Sequence, residues 1–416
     1  MPEISRHQKQ YLLQYKKEKR LIFTARILLF ILFMGLWEMS ARCGWIDSFI
    51  FSSPSLIGKT FLAAVFVEGL IFIVLSVFNV REAIFNSIPM NLKKAVSVGI
   101  GFFIAFIGLQ NAKIVVGCAT LVQLFSLDAV GGATMNDAGI CVLLAIIGVF
   151  ITAILVLKEV KGNILWGILI TWLLGIICQF TGLYVPNAEI GYYSLLPDFS
   201  AGLSIPSLAP IFMKLDFAAI PIAEFVVIIF AFLFVDIFDT LGTLIGVASK
   251  ADMLDDEGRL PRIKGALMAD AVATTAGAVM GTSTTTTFVE SASGVTEGGR
   301  TGLTSMTTAI LFLLSLLLSP VFLAIPSFAT APALIIVGFY MVNQVGLIDF
   351  TDYAEGIPAF ICIAAMPFFY SISEGISMGV ISYVVLNLMS GKAKEKKISP
   401  VMYVLAVMFL VKYVLI

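Results

Sequence analysis

Charge is what this chain has least of. Only 13% of its 416 residues are Asp, Glu, Lys or Arg, against about 25% in an ordinary soluble domain. Histidine is nearly absent: the single one is His7, in a polar N-terminal tail. Proton chemistry in the apolar body must therefore use carboxylates, not imidazole. Cys43, Cys118, Cys141, Cys178 and Cys362 are scattered without metal-ligand spacing, so no disulfide framework is expected. No nucleophile–base pair or metal cluster stands out. Neither an enzyme nor a cofactor or metal site is expected. A net charge of −1 implies no nucleic-acid partner. The first apolar run is long and lacks a small-residue cleavage site, unlike a secretory signal.

Apolar sequence fills the chain instead, at 59% of residues. The fold class is all-α and polytopic, with the lipid bilayer as partner. Spans are predicted near 21–41, 61–79, 94–111, 138–157, 162–182, 221–245, 265–281, 303–325, 332–346, 357–372, 374–390 and 400–416. Orientation follows Lys and Arg. The basic stretches are the tail Arg6–Arg20, then Arg81/Lys93/Lys94, Lys158/Lys161, Lys250/Arg259/Arg262/Lys264 and Lys392/Lys394/Lys396/Lys397. Loops 112–137 and 183–220 are nearly free of them. The alternation puts the N-terminus in the cytoplasm. The Pro-bearing loop 183–220 reads as an extracytoplasmic crossover, which an interfacial amphipathic helix could fill. The polar loop 249–265 reads as a solvated connection, and it lacks EF-hand spacing.

Three carboxylates interrupt the apolar pattern: Asp236, Asp239 and Glu290. A charge near mid-bilayer costs roughly 2.5–3.5 kcal/mol on insertion scales. Such groups face a wet cavity, pair with something or bind something. Asp236 and Asp239 share a helix face. Thr240, Gly242 and Thr243 follow, allowing close backbone approach. No Lys or Arg is expected at comparable depth, which favours a binding role. The run TSTTTTFV (282–289) resists helix and favours extended backbone. Glu290 then opens a short helix before Gly298–Gly299. An extended stretch feeding a half-helix is the pattern of a broken membrane helix, whose free amides meet a polar ligand. A planar polar ligand suits such a site. One carboxylate accepts ring N–H groups, half-helix amides donate, and a second carboxylate carries a proton.

The stretch from Ala63 to Ile416, about 85% of the chain, resembles the nucleobase–cation symporter family in its guanine/hypoxanthine/adenine permease (AzgA-like) branch. EGLIFIVLSVFNVREAIFNSIPMNLKKAVSVGIGFFIAFIGLQNA (68–112), FVDIFDTLGTLIGVA (234–248) and TSTTTTFVESASGVTEGGRTGLTS (282–305) carry the resemblance. It implies an inverted-repeat transporter fold of fourteen segments with core and gate domains. It also implies import of purine nucleobases (guanine, hypoxanthine, adenine, xanthine) by proton symport in the cell inner (plasma) membrane. A homodimer is compatible with it. The family's base-contacting acid maps to Asp239 in Asp239-Thr240-Leu241-Gly242. Its second contact maps to Glu290, with Thr287, Phe288 and Val289 as the preceding strand. Proton coupling maps to Asp239 and Glu290, with Asp236 ranked lower.

The N-terminal part departs from that pattern. The family places three spans before the segment matching 61–79, and a Pro-Gly-Met-Gly-Leu-Asn-like motif is missing here. Residues 1–62 instead resemble the start of a sulfonate/nitrate-type ABC importer permease subunit, on LLFILFMGLWEMSARCGWIDSFIFSSPSLIGKTF. The expected organisation is an atypical segment 1–62 with one span, the rest of a first repeat at 63–182, the crossover loop 183–220, and a second repeat at 221–416 carrying the site. The first repeat is N-terminally incomplete. A transport-impaired chimeric or truncated permease stays open on this ground, and an ABC importer subunit as a further alternative.

Overall fold

The computed structural model describes residues 54–415 except 120, 128–132, 201–206, 218–221 and 256, with backbone alone at 54–60, 189, 223, 224, 414 and 415. The basic tail and the span 21–41 lie outside the described residues. The helices are α1 (Pro54–Val77), α2 (Val80–Ser87), α3 (Met90–Asn111), α4 (Ile140–Leu157), α5 (Asn163–Phe180), α6 (Ile222–Lys250), α7 (Ile263–Met280), α8 (Ser291–Thr296), α9 (Gly302–Leu317), α10 (Ser319–Ala324), α11 (Ser327–Val342), α12 (Tyr353–Phe369), α13 (Ile372–Met389) and α14 (Pro400–Leu415). Among the described residues, seven helices are long and apolar enough to cross a membrane, or eight if α1 and α2 form one bent span. The chain is an all-α, multi-pass membrane protein.

Several boundaries differ from the apolar runs. The run 303–325 is two helices, because Pro320 cannot continue the hydrogen-bond ladder and instead opens α10. The helix expected at 332–346 starts earlier, at Ser327, and carries Pro332 within it. α1 and α2 meet at 74°, where Asn79 adopts left-handed backbone. Loop 112–137 holds an antiparallel hairpin, β1 (Val115–Cys118) with β2 (Leu121–Leu124). The described part of 183–220 contains a 3₁₀ turn at Ala188–Ile190 and no α-helix.

The described residues fall into two compact units. The smaller takes in the described part of Met1–Ile71, Leu208–Phe232 and Val272–Thr285. Gly69 lets α1 approach α7 there: a Cβ would stand 2.8 Å from the backbone nitrogen of Thr275. α7 ends at Gly281, whose φ of 90° only glycine adopts readily. Thr282 N–H then bonds Gly277 O at 2.9 Å and Gly281 N–H bonds Ala278 O at 3.1 Å, the Schellman arrangement. The threonine run leaves this cap without regular secondary structure. Thr274 anchors it, donating to Thr285 O at 2.9 Å.

The larger unit takes in Phe72–Ser207, Leu233–Ala271 and Thr286–Ile416. α3 and α11 cross backbone to backbone. A Cβ on Gly101 would lie 2.7 Å from Gly338 O, and one on Gly338 would lie 2.5 Å from Gly101 O. Gly101→Leu is expected to cost at least about 1–3 kcal/mol by overpacking. Gly117→Leu, with nothing within 4 Å of its Cβ, should cost far less. Thermal unfolding in detergent compares the two, and equal melting temperatures would refute the close crossing. In α4 and α5, Gly148 receives Thr171 of the other helix, and Gly167 receives Thr152. Both hydroxyls are satisfied by their own helix, at 2.8 Å to Gly148 O and 2.7 Å to Gly167 O. α14 is held to α6 by Phe409, whose ring centroid lies 4.9 Å from that of Phe234 and 4.6 Å from that of Phe238.

The basic loops of this unit come together. Lys93 donates to Gly258 O at 2.6 Å. Pro89, Glu257, Lys396 and Lys397 line one hollow. That agrees with placing 88–94, 249–262 and 390–399 on one side of the bilayer. Asp352, ahead of α12, is held well below the usual carboxylate range by Lys396 and Lys392, at 2.7 and 3.1 Å.

Candidate functional site

The site lies in the larger unit and starts from α6. Asp236 and Asp239 are one turn apart, and Asp236 is buried at 3% exposure. Asp239 is half-buried as a residue, yet its Oδ1 is buried without a hydrogen-bond partner. The backbone N–H of Ser373, at the start of α13, points to the same carboxylate. Gly242 makes that approach feasible: its Cβ would be 3.0 Å from both Ile372 Cγ2 and Ile376 Cδ1. Thr240 faces another way. Its hydroxyl lies 3.3 Å from Asp270 Oδ1 and 3.2 Å from Thr286 Oγ1.

Asp270 is a fourth carboxylate in apolar sequence, on α7, and it is satisfied. Arg81 Nη2 pairs with Asp270 Oδ2 at 2.6 Å, and Arg81 Nη1 donates to Leu267 O at 3.1 Å. The guanidinium also stacks 4.2 Å from the Phe72 ring centroid. Arg81 is fully buried. The expectation of no basic residue at depth is therefore wrong. Arg81 sits in a polar gap between two apolar runs, and the bend between α1 and α2 turns it inward. Lys412 is a second exception, 5% exposed on α14. It pairs with Glu374 Oε1. Arg81 is thus paired with Asp270 and Lys412 with Glu374, and the charges of Lys412 and Glu374 both reach Asp239.

The broken element follows its expected outline. Residues 282–288 have no regular secondary structure, and α8 spans Ser291–Thr296. A second Schellman cap closes α8, with Gly299 N–H on Gly294 O at 2.9 Å and Gly298 N–H on Val295 O at 3.0 Å. Two details differ. Residues 289–290 form a turn, and Thr287–Val289 belongs to no named strand. The first amides of α8 are already used: Ser291 N–H bonds Phe288 O and Ala292 N–H bonds Val289 O. The tight turn into the helix consumes the donors expected to meet a ligand. Thr287 is half-buried, Phe288 exposed and Val289 buried. Glu290 is exposed and lines an open hollow of about 940 Å³ with Phe288, Met253 and Arg300. Among the described residues no hydrogen bond joins Asp239 to Glu290; the nearby Thr240 and Thr286 hydroxyl oxygens lie 3.2 Å apart.

A family model described as "Permease family", of the xanthine/uracil permease type, matches residues 17–378. The chain belongs to the xanthine/uracil permease family. The match takes in residues 17–62, the part that also resembles an ABC importer subunit. Relatives agree over most of the chain. A Methanocaldococcus jannaschii protein whose name says permease without a substrate is 46% identical over 354 residues, 85% of this chain and 75% of its own length. A guanine/hypoxanthine permease of Bacillus subtilis is 41% identical over 355 residues, 85% of this chain and 75% of its own. An adenine permease of Escherichia coli is 35% identical over 355 residues, 85% and 74% respectively. This family member is a transporter, not an enzyme.

Four residues near the permease's candidate acids escaped the sequence reading: Arg81, Asp270, Glu374 and Lys412. Asp270 and Lys412 were visible as charges inside the spans 265–281 and 400–416. Arg81 and Glu374 sit at span edges, where a charge is ordinary and only the tertiary packing shows its burial or its partner.

Proposed function

We propose that this chain imports purine nucleobases by proton symport across the plasma membrane, with its N-terminus in the cytoplasm. The names of the Bacillus and Escherichia relatives say guanine/hypoxanthine and adenine, and this reading adds xanthine to that set. Asp239 and Glu290 are the base-contacting acids in this reading, flanked by Thr287, Phe288 and Val289. Proton coupling falls to Asp239 and Glu290, with Asp236 in a lesser role.

The observation that carries the reading is the orphan oxygen of Asp239. A buried acceptor without a donor costs about 1–3 kcal/mol. A ring N–H or a proton arriving at Oδ1 relieves that cost, so the site favours a loaded state over an empty one. The direct test is uptake of radiolabelled hypoxanthine, guanine and adenine in purine-transport-deficient cells. Accumulation above the empty-vector level supports the reading, and its absence in cells with verified membrane expression refutes it.

Glu290→Gln keeps the shape and removes the charge. Purine binding to the purified protein is expected to weaken more than tenfold, or about 1.4 kcal/mol. Equal affinity at equal folded fraction would take Glu290 out of the site.

A further inference from the structure

Glu374, Lys412 and Tyr413 form a polar cluster beside Asp239 that neither the family match nor the proposed base contacts explain. Glu374 lies in the first turn of α13, behind the cap residue Ser371, whose hydroxyl accepts the Glu374 N–H at 3.3 Å. Its two carboxylate oxygens are divided between two partners on α14. Oε1 takes Lys412 Nζ, and Oε2 takes the Tyr413 hydroxyl. That hydroxyl also meets Ser377 Oγ, at 2.5 Å. Lys412 is fixed in turn by the aromatic packing one turn earlier, where Phe409 sits between Phe234 and Phe238. Its ammonium lies 5.6 Å from the Phe234 ring centroid, so it stands next to α6.

The charges around this point can be counted. α6 brings Asp236 and Asp239, α13 brings Glu374, and α14 brings Lys412 with the neutral Tyr413. The pair Arg81–Asp270, from α2 and α7, stands beyond Thr240 and is neutral in itself. Asp239 and Glu374 thus share one cation. Asp239, Glu374 and Lys412 by themselves sum to −1 in a poorly solvated place, with the Asp236 carboxylate one turn away on α6. That arrangement is stabilised by taking up one positive charge. The unpartnered Oδ1 of Asp239 is where it can land. Ser373 bridges the two acids along the chain, since its N–H points to Asp239 while the next residue is Glu374.

We propose that Asp239, Glu374 and Lys412 form one proton-coupling cluster, in which the two carboxylates compete for Lys412 and a proton on Asp239 leaves that cation to Glu374. The inference rests on the reading of Asp239 as the coupling acid and adds Glu374 and Lys412 as positioning residues. Balance is simple: one proton is bound at Asp239 Oδ1 from one side and released to the other, and no bond other than O–H forms or breaks.

The test is hypoxanthine transport by purified protein in proteoliposomes between pH 5 and 9, each variant's profile normalised to its own maximum. Lys412→Met removes the countercharge, so the pH midpoint is expected to rise by at least one unit, a tenfold gain in proton affinity. Glu374→Gln frees Lys412 for Asp239, so the midpoint is expected to fall by a similar amount. Either single variant leaves a buried charge unpaired, so Glu374→Gln/Lys412→Met is made as well. It removes both charges together and is expected to shift the midpoint less than either single change. Midpoints within 0.2 units of the unmodified protein in all three variants would overturn the cluster. Asp239→Asn separates the two claims. If it loses the pH dependence while the other three variants keep the parental profile, Asp239 still couples and the cluster is wrong. If it keeps the pH dependence, both claims fall.

Discussion

Asp270→Asn is expected to unfold this protein more readily than any change to the base-contacting acids, by about 3–5 kcal/mol. The reason is Arg81. Its guanidinium is fully buried, and its charge is balanced by Asp270 at 2.6 Å. A neutral amide leaves that charge uncompensated in an apolar place. Replacing both partners by apolar residues of similar volume, Arg81→Met with Asp270→Leu, removes the charge and the need for it together. Most of the lost stability is expected to return. Fluorescence-detected size exclusion after a heating series measures both proteins. A single variant as heat-resistant as the parent, or a double variant no better than the single one, would show that the pair is not what holds α2 against α7.

Asp239→Asn is expected to abolish pH-driven purine accumulation while leaving the protein folded. Asparagine preserves the size of the side chain and its acceptor oxygen, but it cannot take up a proton. No histidine can substitute, since the single one, His7, lies in the polar tail ahead of the first predicted span. Asp236→Asn is expected to reduce accumulation less, because Asp236 carries only the lesser part in coupling. The measurement is the steady-state concentration ratio of hypoxanthine across proteoliposomes with an inward acid gradient. A ratio in Asp239→Asn that still rises with the gradient would move coupling to another group.

Much of this was legible from residue order alone, and the parts that were not have separate causes. Long apolar runs gave the membrane helices, because span length is a local property of the chain. The threonine run after Gly281 marked where the helix stops, since β-branched side chains and a left-handed cap both act locally. The break at Ser319-Pro320 is marked by the proline, although the apolar run continues across it. The turn at 289–290 was not readable, because it depends on which carbonyls the first amides of α8 find. Arg81 was misjudged for a third reason. Its burial depends on the bend at Asn79 and on an aspartate 189 positions away, and no pattern within one span reports either. Glu374 is similar: it looks like an edge charge until α13 and α14 are laid side by side.

The hydroxyl of Thr240 fixes a direction in this structure. It stands within reach of both Asp270 and Thr286, yet a hydroxyl owns a single hydrogen. Asp270, ionised against Arg81, can only receive. Thr240 is the donor in both contacts, so its hydrogen goes either to that carboxylate or to the Thr286 hydroxyl. A carboxylate is the stronger acceptor of the two, so the hydroxyl is turned toward the guanidinium's end of the row and away from Thr286. A valine at 240 would erase that preference, and a serine would keep it.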